Sequence, residues 1–136
     1  MRFSDRLQSK RLDPEDRLQV AEAALASVVR RRGGDSPLAA QARAEVARRL
    51  EDLGRLTEAR LLRENAVATY SHVFGSDHPS TLTHKLMLVR NQHGARSFEE
   101  ARLMAVDVHN VSLQVLGGDH ETTKRAEDWI RRIDEA

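Results

Sequence analysis

The sequence contains no cysteine, which excludes a disulfide framework and a thiolate metal site. Aromatic residues make up only 4% of its 136 positions, too few for the aromatic and β-branched surfaces that sheets favour. No apolar run approaches the roughly 18 residues that mark a membrane-spanning helix. The opening stretch "MRFSDRLQSKRL" carries charge but no apolar core, so it does not read as a secretory leader, and the expected location is the cytoplasm. Excess charge of one sign is also missing: Lys and Arg number 22 against 21 Asp and Glu, a formal net charge of +1. A general polyanion binder would show a basic surplus, so nucleic acid is not an expected partner. Proline occurs only three times, after Asp13, Ser36 and His78, where it punctuates rather than pervades.

What is abundant is Ala, Leu, Arg and Glu, a composition that favours helices. The strings "GGDSPLAA" from Gly33, "GSDHPSTL" from Gly75 and "GGDHETTK" from Gly117 recur at an interval of 42 residues. Glu58-Ala59-Arg60 recurs as Glu100-Ala101-Arg102, Val73 aligns with Val115, and Val46, Leu88 and Ile130 keep one register. Several matches in a single register are the signature of a repeat architecture.

Each unit reads as two helices. Ser36 is an N-cap with Pro37 at the first helical position, where the missing N–H costs nothing, and Gly54 supplies a stop. A second helix follows over "LTEARLLRENAVATYSHVFG", with Leu62, Ala66, Val73 and Phe74 at helical spacing. His78-Pro79 opens the next first helix, which ends near Gly94. Ser97 and Glu100 have the spacing of a capping box ahead of a helix reaching about Leu116, and "DHETTKRAEDWIRRIDEA" is a last helix. Asp13-Pro14 starts a helix that aligns with the second helix of a unit. The expected organisation is a half unit over 13–33, full units over 34–75 and 76–117, and a half unit over 118–136. Residues 1–12 read as a short helix or a tail.

A 42-residue helix pair with "FGSDHPSTL" at its junction, supported by "GGDHETT" and "GRLTEA", resembles the tetratricopeptide repeat in the long variant found in kinesin light chains and bacterial multi-repeat proteins. The resemblance covers about residues 14–136. It implies an all-α right-handed solenoid of about six helices, whose first helices line a concave groove for a peptide or protein, without catalysis or cofactor. Two departures stand out. The family's asparagine, nine positions after the junction histidine, is replaced by Glu45, Met87 and Trp129, so its usual grip on peptide backbone is not carried over. Arg96 occupies the usual inter-helix glycine position, and Gly94 lies two residues earlier.

Within that frame an arginine recurs in the three first helices, as Arg48, Arg90 and Arg132. Positions i, i+4 and i+7 share a helix face, giving rows Gln41–Glu45–Arg48, Thr83–Met87–Arg90 and Arg125–Trp129–Arg132. The resemblance places these nine residues on the groove face. The forked guanidinium suits carboxylate or phosphate, so the ladder reads either as a groove for an acidic or C-terminal segment, or as arginines each paired with a nearby carboxylate. Trp129, the single tryptophan, reads as a binding anchor or as core or cap of the last helix; Met87 and Tyr70 read as packing.

The six histidines show neither an H-x-x-x-H pair nor H-E-x-x-H, and no metal site is expected. His78 and His120 sit where a side chain can cap a helix. The Gly-Gly stretches follow helices and lack the G-K-[ST] of a phosphate loop, and "RRR" at 30–32 suits a helix C-terminus. The helix over 14–32 is apolar on much of its circumference and the last helix lacks a second helix, so the terminal surfaces are expected to be covered by self-association or by residues 1–12. The leading expectation is a non-catalytic interaction scaffold binding a protein or peptide with acidic groups. The alternative is an oligomerisation or regulatory module, partnered by itself as a homodimer or by a larger parent protein.

Overall fold

The computed structural model describes residues 12–136, so the expectation for the first eleven residues lies outside the described part. Six helices follow one another: α1 (Pro14–Arg32), α2 (Pro37–Asp52), α3 (Leu56–Phe74), α4 (Pro79–Gly94), α5 (Phe98–Leu116) and α6 (Glu121–Asp134). The recurring motif explains its own residues. Asp13, Ser36, His78 and His120 all cap their helices with a side-chain acceptor: Ser36 receives the Ala39 N–H at 3.1 Å, and the His78 and His120 Nδ1 atoms receive those of Ser80 and Thr122 at 3.1 Å. Two residues beyond each proline or its equivalent, Thr81 and Thr123 donate their hydroxyls to the Gly75 and Gly117 carbonyls at 2.8 and 2.7 Å, closing the loop. Both glycines have positive φ, near 99° and 91°, which glycine adopts without a Cβ clash. The string therefore encodes one rigid corner used again and again.

The other junctions depart from expectation. Ser97 is the N-cap of α5, but its side chain makes no cap hydrogen bond. With ψ near 63° its backbone lacks the extended conformation of the capped residues, and the capping-box reading is corrected. Arg96 takes φ of 62° where Gly54, its equivalent, takes 77°. The turn thus keeps its left-handed geometry with a residue that pays a steric penalty of roughly 1 kcal/mol.

The helices pack in chain order, each on the next, with α4 also resting directly on α6. Among the described residues α1 and α6 do not pack together, as they would in a closed bundle; the stack is open. Its apolar interior is segmented. Leu18, Ala21, Val46, Ala47, Leu50 and Ala59 form a core beneath α1–α3. Leu82, Leu86, Val108 and Ala126 form one beneath α4–α6, and Val89, Ala101, Ala105 and Ile133 a third. Fully buried alanines such as Ala59 and Ala101 let helices approach closely, which is what the repeated Glu-Ala pair provides. Ion pairs bridge neighbouring helices on the outside: Arg60 meets Glu100, and its equivalent Arg102 meets Asp134 at 2.8 Å.

Two packing expectations change. Val73 and Phe74 are exposed at the end of α3, where Phe74 stacks on His78 instead of entering the core. The outer face of α6 is also charged. Lys124, Asp128 and Arg131 are exposed where the equivalent Leu82, Leu86 and Val89 of α4 are buried. At these positions α6 turns charged side chains outward rather than apolar ones. On α1, Val20 is exposed.

Candidate functional site

The nine groove residues come from α2, α4 and α6, and the structure brings all of them to two adjoining depressions. One, of about 570 Å³, is bordered by Arg48, Thr83, Met87, Arg90, Arg125, Trp129 and Arg132. The other, of about 500 Å³, is bordered by Gln41 and Glu45 and shares Arg48, Met87 and Arg90 with the first. It lies between α2 and α4, which do not pack on each other as α4 and α6 do. The 42-residue register thus becomes a shared surface.

The arginines on this surface differ in how they are neutralised. Arg125 pairs with Glu121 at 2.6 Å, along its own helix. Glu45 is engaged by Arg49 at 2.7 Å rather than by Arg48. Arg48 and Arg90 are exposed and form neither an ion pair nor a side-chain hydrogen bond among the described residues. Arg132 also lacks a carboxylate there and lies over the Trp129 ring, 5.0 Å from its centroid. Asp128, the acid at this rim, is taken by Arg131. Three guanidiniums therefore border one depression with their charge unneutralised by a described carboxylate, a source of positive potential. Met87 is 38% exposed between them, so its assignment as packing is corrected: the gap between α2 and α4 leaves it uncovered. Trp129 is half-buried, touching two core clusters while also lining the depression. Tyr70 does pack, stacked on His84 at 4.2 Å.

Sequence reasoning passed over a buried polar network that floors the second depression. Arg63 of α3 is only 6% exposed. It grips Glu51 of α2 with two hydrogen bonds, at 2.7 and 3.2 Å, and reaches Met87 Sδ at 3.5 Å. Asn91 of α4, 2% exposed, donates to the same Glu51 at 2.9 Å and to the Leu56 carbonyl at 3.2 Å. The network sits between the apolar core of α1–α3 and those of α4–α6 and ties the halves together. A signal for it was present. The 42-residue equivalents of Arg63 and Asn91 are Ala105 and Ile133, both buried, so the register already marks these positions as interior.

His84 lies beside the network with its Nδ1 buried and, among the described residues, without a hydrogen-bond partner. Burial, reinforced by the charge of Arg63, holds its pKa below the usual histidine value. The folded state therefore favours neutral His84, while the unfolded chain takes up a proton below about pH 6.5. The associated stability is fully present above that pH and declines as pH falls toward the depressed folded value. Urea unfolding should show the wild type losing more stability between about pH 7.5 and 5 than His84→Phe, which keeps a ring against Tyr70. Parallel losses in both proteins would show that His84 is not responsible.

Comparison with known proteins accords with this fold. The family model for the tetratricopeptide repeat matches residues 39–80. The fold matches the crystal structure of a Podosopora anserina protein, provisionally assigned as a kinesin light chain with nearly identical TPR-like repeats. The TM-score is 0.80 at 22% identity over 88% of this chain. The chain has a TPR-like fold. A point variant of the same Podosopora anserina protein matches equally. The chain spans 57% of the length of those two solved chains. Among curated proteins no match was found. TPR-like repeats generally mediate protein–protein interaction and are typically non-catalytic. Among the described residues no helix is long and apolar enough to cross a membrane, and no group of metal-ligating side chains gathers.

Proposed function

We propose that this TPR-like protein is a non-catalytic scaffold whose α2–α4–α6 face binds a peptide or protein segment carrying acidic groups. The chain is read as a half unit over 13–33, full units over 34–75 and 76–117 and a half unit over 118–136, which gives one groove-facing helix in each of the last three. The observation that carries the reading is the gathering of three arginines without a described carboxylate partner around one depression. Arg49, Arg55, Arg60, Arg63, Arg102, Arg125 and Arg131 all reach a carboxylate. The three at equivalent positions around the larger depression do not; Arg17, Arg30, Arg31, Arg32, Arg43 and Arg96 lack one too among the described residues, but they do not border that depression. Like charges left facing one another raise the energy of the empty groove, and a carboxylate or phosphate from outside would lower it.

The test is an array of acidic peptides probed with the wild type and with Arg48→Gln/Arg90→Gln/Arg132→Gln. Exposed, unpaired side chains contribute little to folding, so the triple variant should unfold within about 0.5 kcal/mol of the wild type. At roughly 0.2–1 kcal/mol per charged contact, its affinity for wild-type-selected peptides should fall by about threefold to 150-fold. Peptides that bind both proteins alike would remove the arginine face from the function.

A further inference from the structure

The geometry points to a defined register in the ligand: two acidic residues three positions apart, in a polyproline II conformation, spanning Arg90 and Arg132. The inference rests on the groove reading above and adds the shape of the occupant. Arg90 and Arg132 occupy equivalent positions on α4 and α6, and these helices pack directly on each other. Packed helix axes lie about 8–10 Å apart, so equivalent side chains on the two faces repeat at about that distance. A ligand crossing both helices must present its anions with the same spacing and on one side.

Chain geometry selects among the candidates. In an extended strand, residues on one face recur at about 6.7 Å or 13 Å, and neither matches. In polyproline II every third residue returns to the same face after about 9.3 Å, which does. An α-helix offers about 10.5 Å between positions seven apart. That spacing lies beyond the range of about 8–10 Å, and positions four apart, at about 6 Å, fall short of it. The floor between the arginines supports the slimmer ligand. Leu86, Met87 and Trp129 line it, and an aromatic-floored groove is the surface on which proline-rich polyproline II segments dock. Trp129 also serves as a positioning residue, because its ring lies beneath the Arg132 guanidinium. Arg48, on the far side of the same depression and across the gap between α2 and α4, adds positive potential without setting this spacing.

Three labelled octapeptides of one composition test the register: Pro-Ala-Glu-Pro-Ala-Glu-Pro-Ala, an isomer with adjacent glutamates, and Glu-Pro-Ala-Pro-Ala-Pro-Ala-Glu. Binding is read by anisotropy and by the emission of Trp129, the only tryptophan. The first peptide should bind about twofold to fivefold more tightly than either isomer, the contribution of one well-placed charge contact. Arg90→Gln and Arg132→Gln should each abolish that preference, while Arg90→Lys, which keeps the charge, should retain part of it; circular dichroism checks that each variant is folded. If an isomer binds as tightly as the first peptide, the register is wrong even though the groove reading survives, provided the triple glutamine variant loses binding. If no peptide binds and Trp129 emission does not move, the register and the acidic groove fall together.

Discussion

Arg63→Ala is expected to lower the unfolding free energy by about 3 kcal/mol, the lower end of the range for breaking a buried ion pair. The guanidinium is nearly inaccessible, and its removal strands Glu51 with only the Asn91 amide as a near partner. Glu51 keeps 19% of its side-chain surface exposed, which gives its charge some hydration and holds the cost at that lower end. Replacing both partners, Glu51→Gln with Arg63→Met, removes the stranded charge and should recover at least half of the loss. Urea denaturation of the three proteins measures both effects. A loss below about 1 kcal/mol for Arg63→Ala would mean that the network closes around the gap and does not hold the two halves together. The functional consequence lies one layer up. Arg63 and Asn91 floor the depression between α2 and α4, and Arg63 also touches Met87 on the groove face.

Leu82→Ala should cost about 3 kcal/mol, the middle of the range for a large-to-small change in a filled core. Leu82 has no exposed surface and packs with Leu86, Val108 and Ala126. The informative control is Lys124→Ala at the equivalent position of α6, where the side chain is exposed and the change should stay within about 0.5 kcal/mol. Equal losses at the two positions would contradict the exposure of this face of α6. Chemical denaturation reads the difference, and thermal melts should show it as a shift of several degrees for the first variant alone.

These two experiments probe residues that differ in legibility. The corner "GSDHPSTL" could be read directly because its chemistry is local: His78 caps a helix two residues away, and Thr81 closes on Gly75 six residues back. The groove rows could be read nearly as well, since the repeat period converts sequence distance into position on successive helices; all nine residues border the two depressions. Ser97 misled because a capping box is also a statement about backbone angles, and a ψ near 63° is invisible in the spacing S-x-x-E. Met87 misled because an apolar residue on a helix is buried only if something lies over it, and the gap between α2 and α4 leaves it open.

The sequence by itself determined the helices, their corners and the 42-residue register, because capping, proline placement and apolar periodicity act within a few residues of one another. It also placed Arg48, Arg90 and Arg132 at matching positions. Tertiary structure alone decided that these arginines lack carboxylate partners among the described residues, that Arg63, Glu51 and Asn91 meet, and that α6 turns a charged face outward at positions where α4 turns leucine inward. Charge neutralisation and burial depend on which side chains arrive from other helices, over sequence separations that periodicity within one helix does not encode.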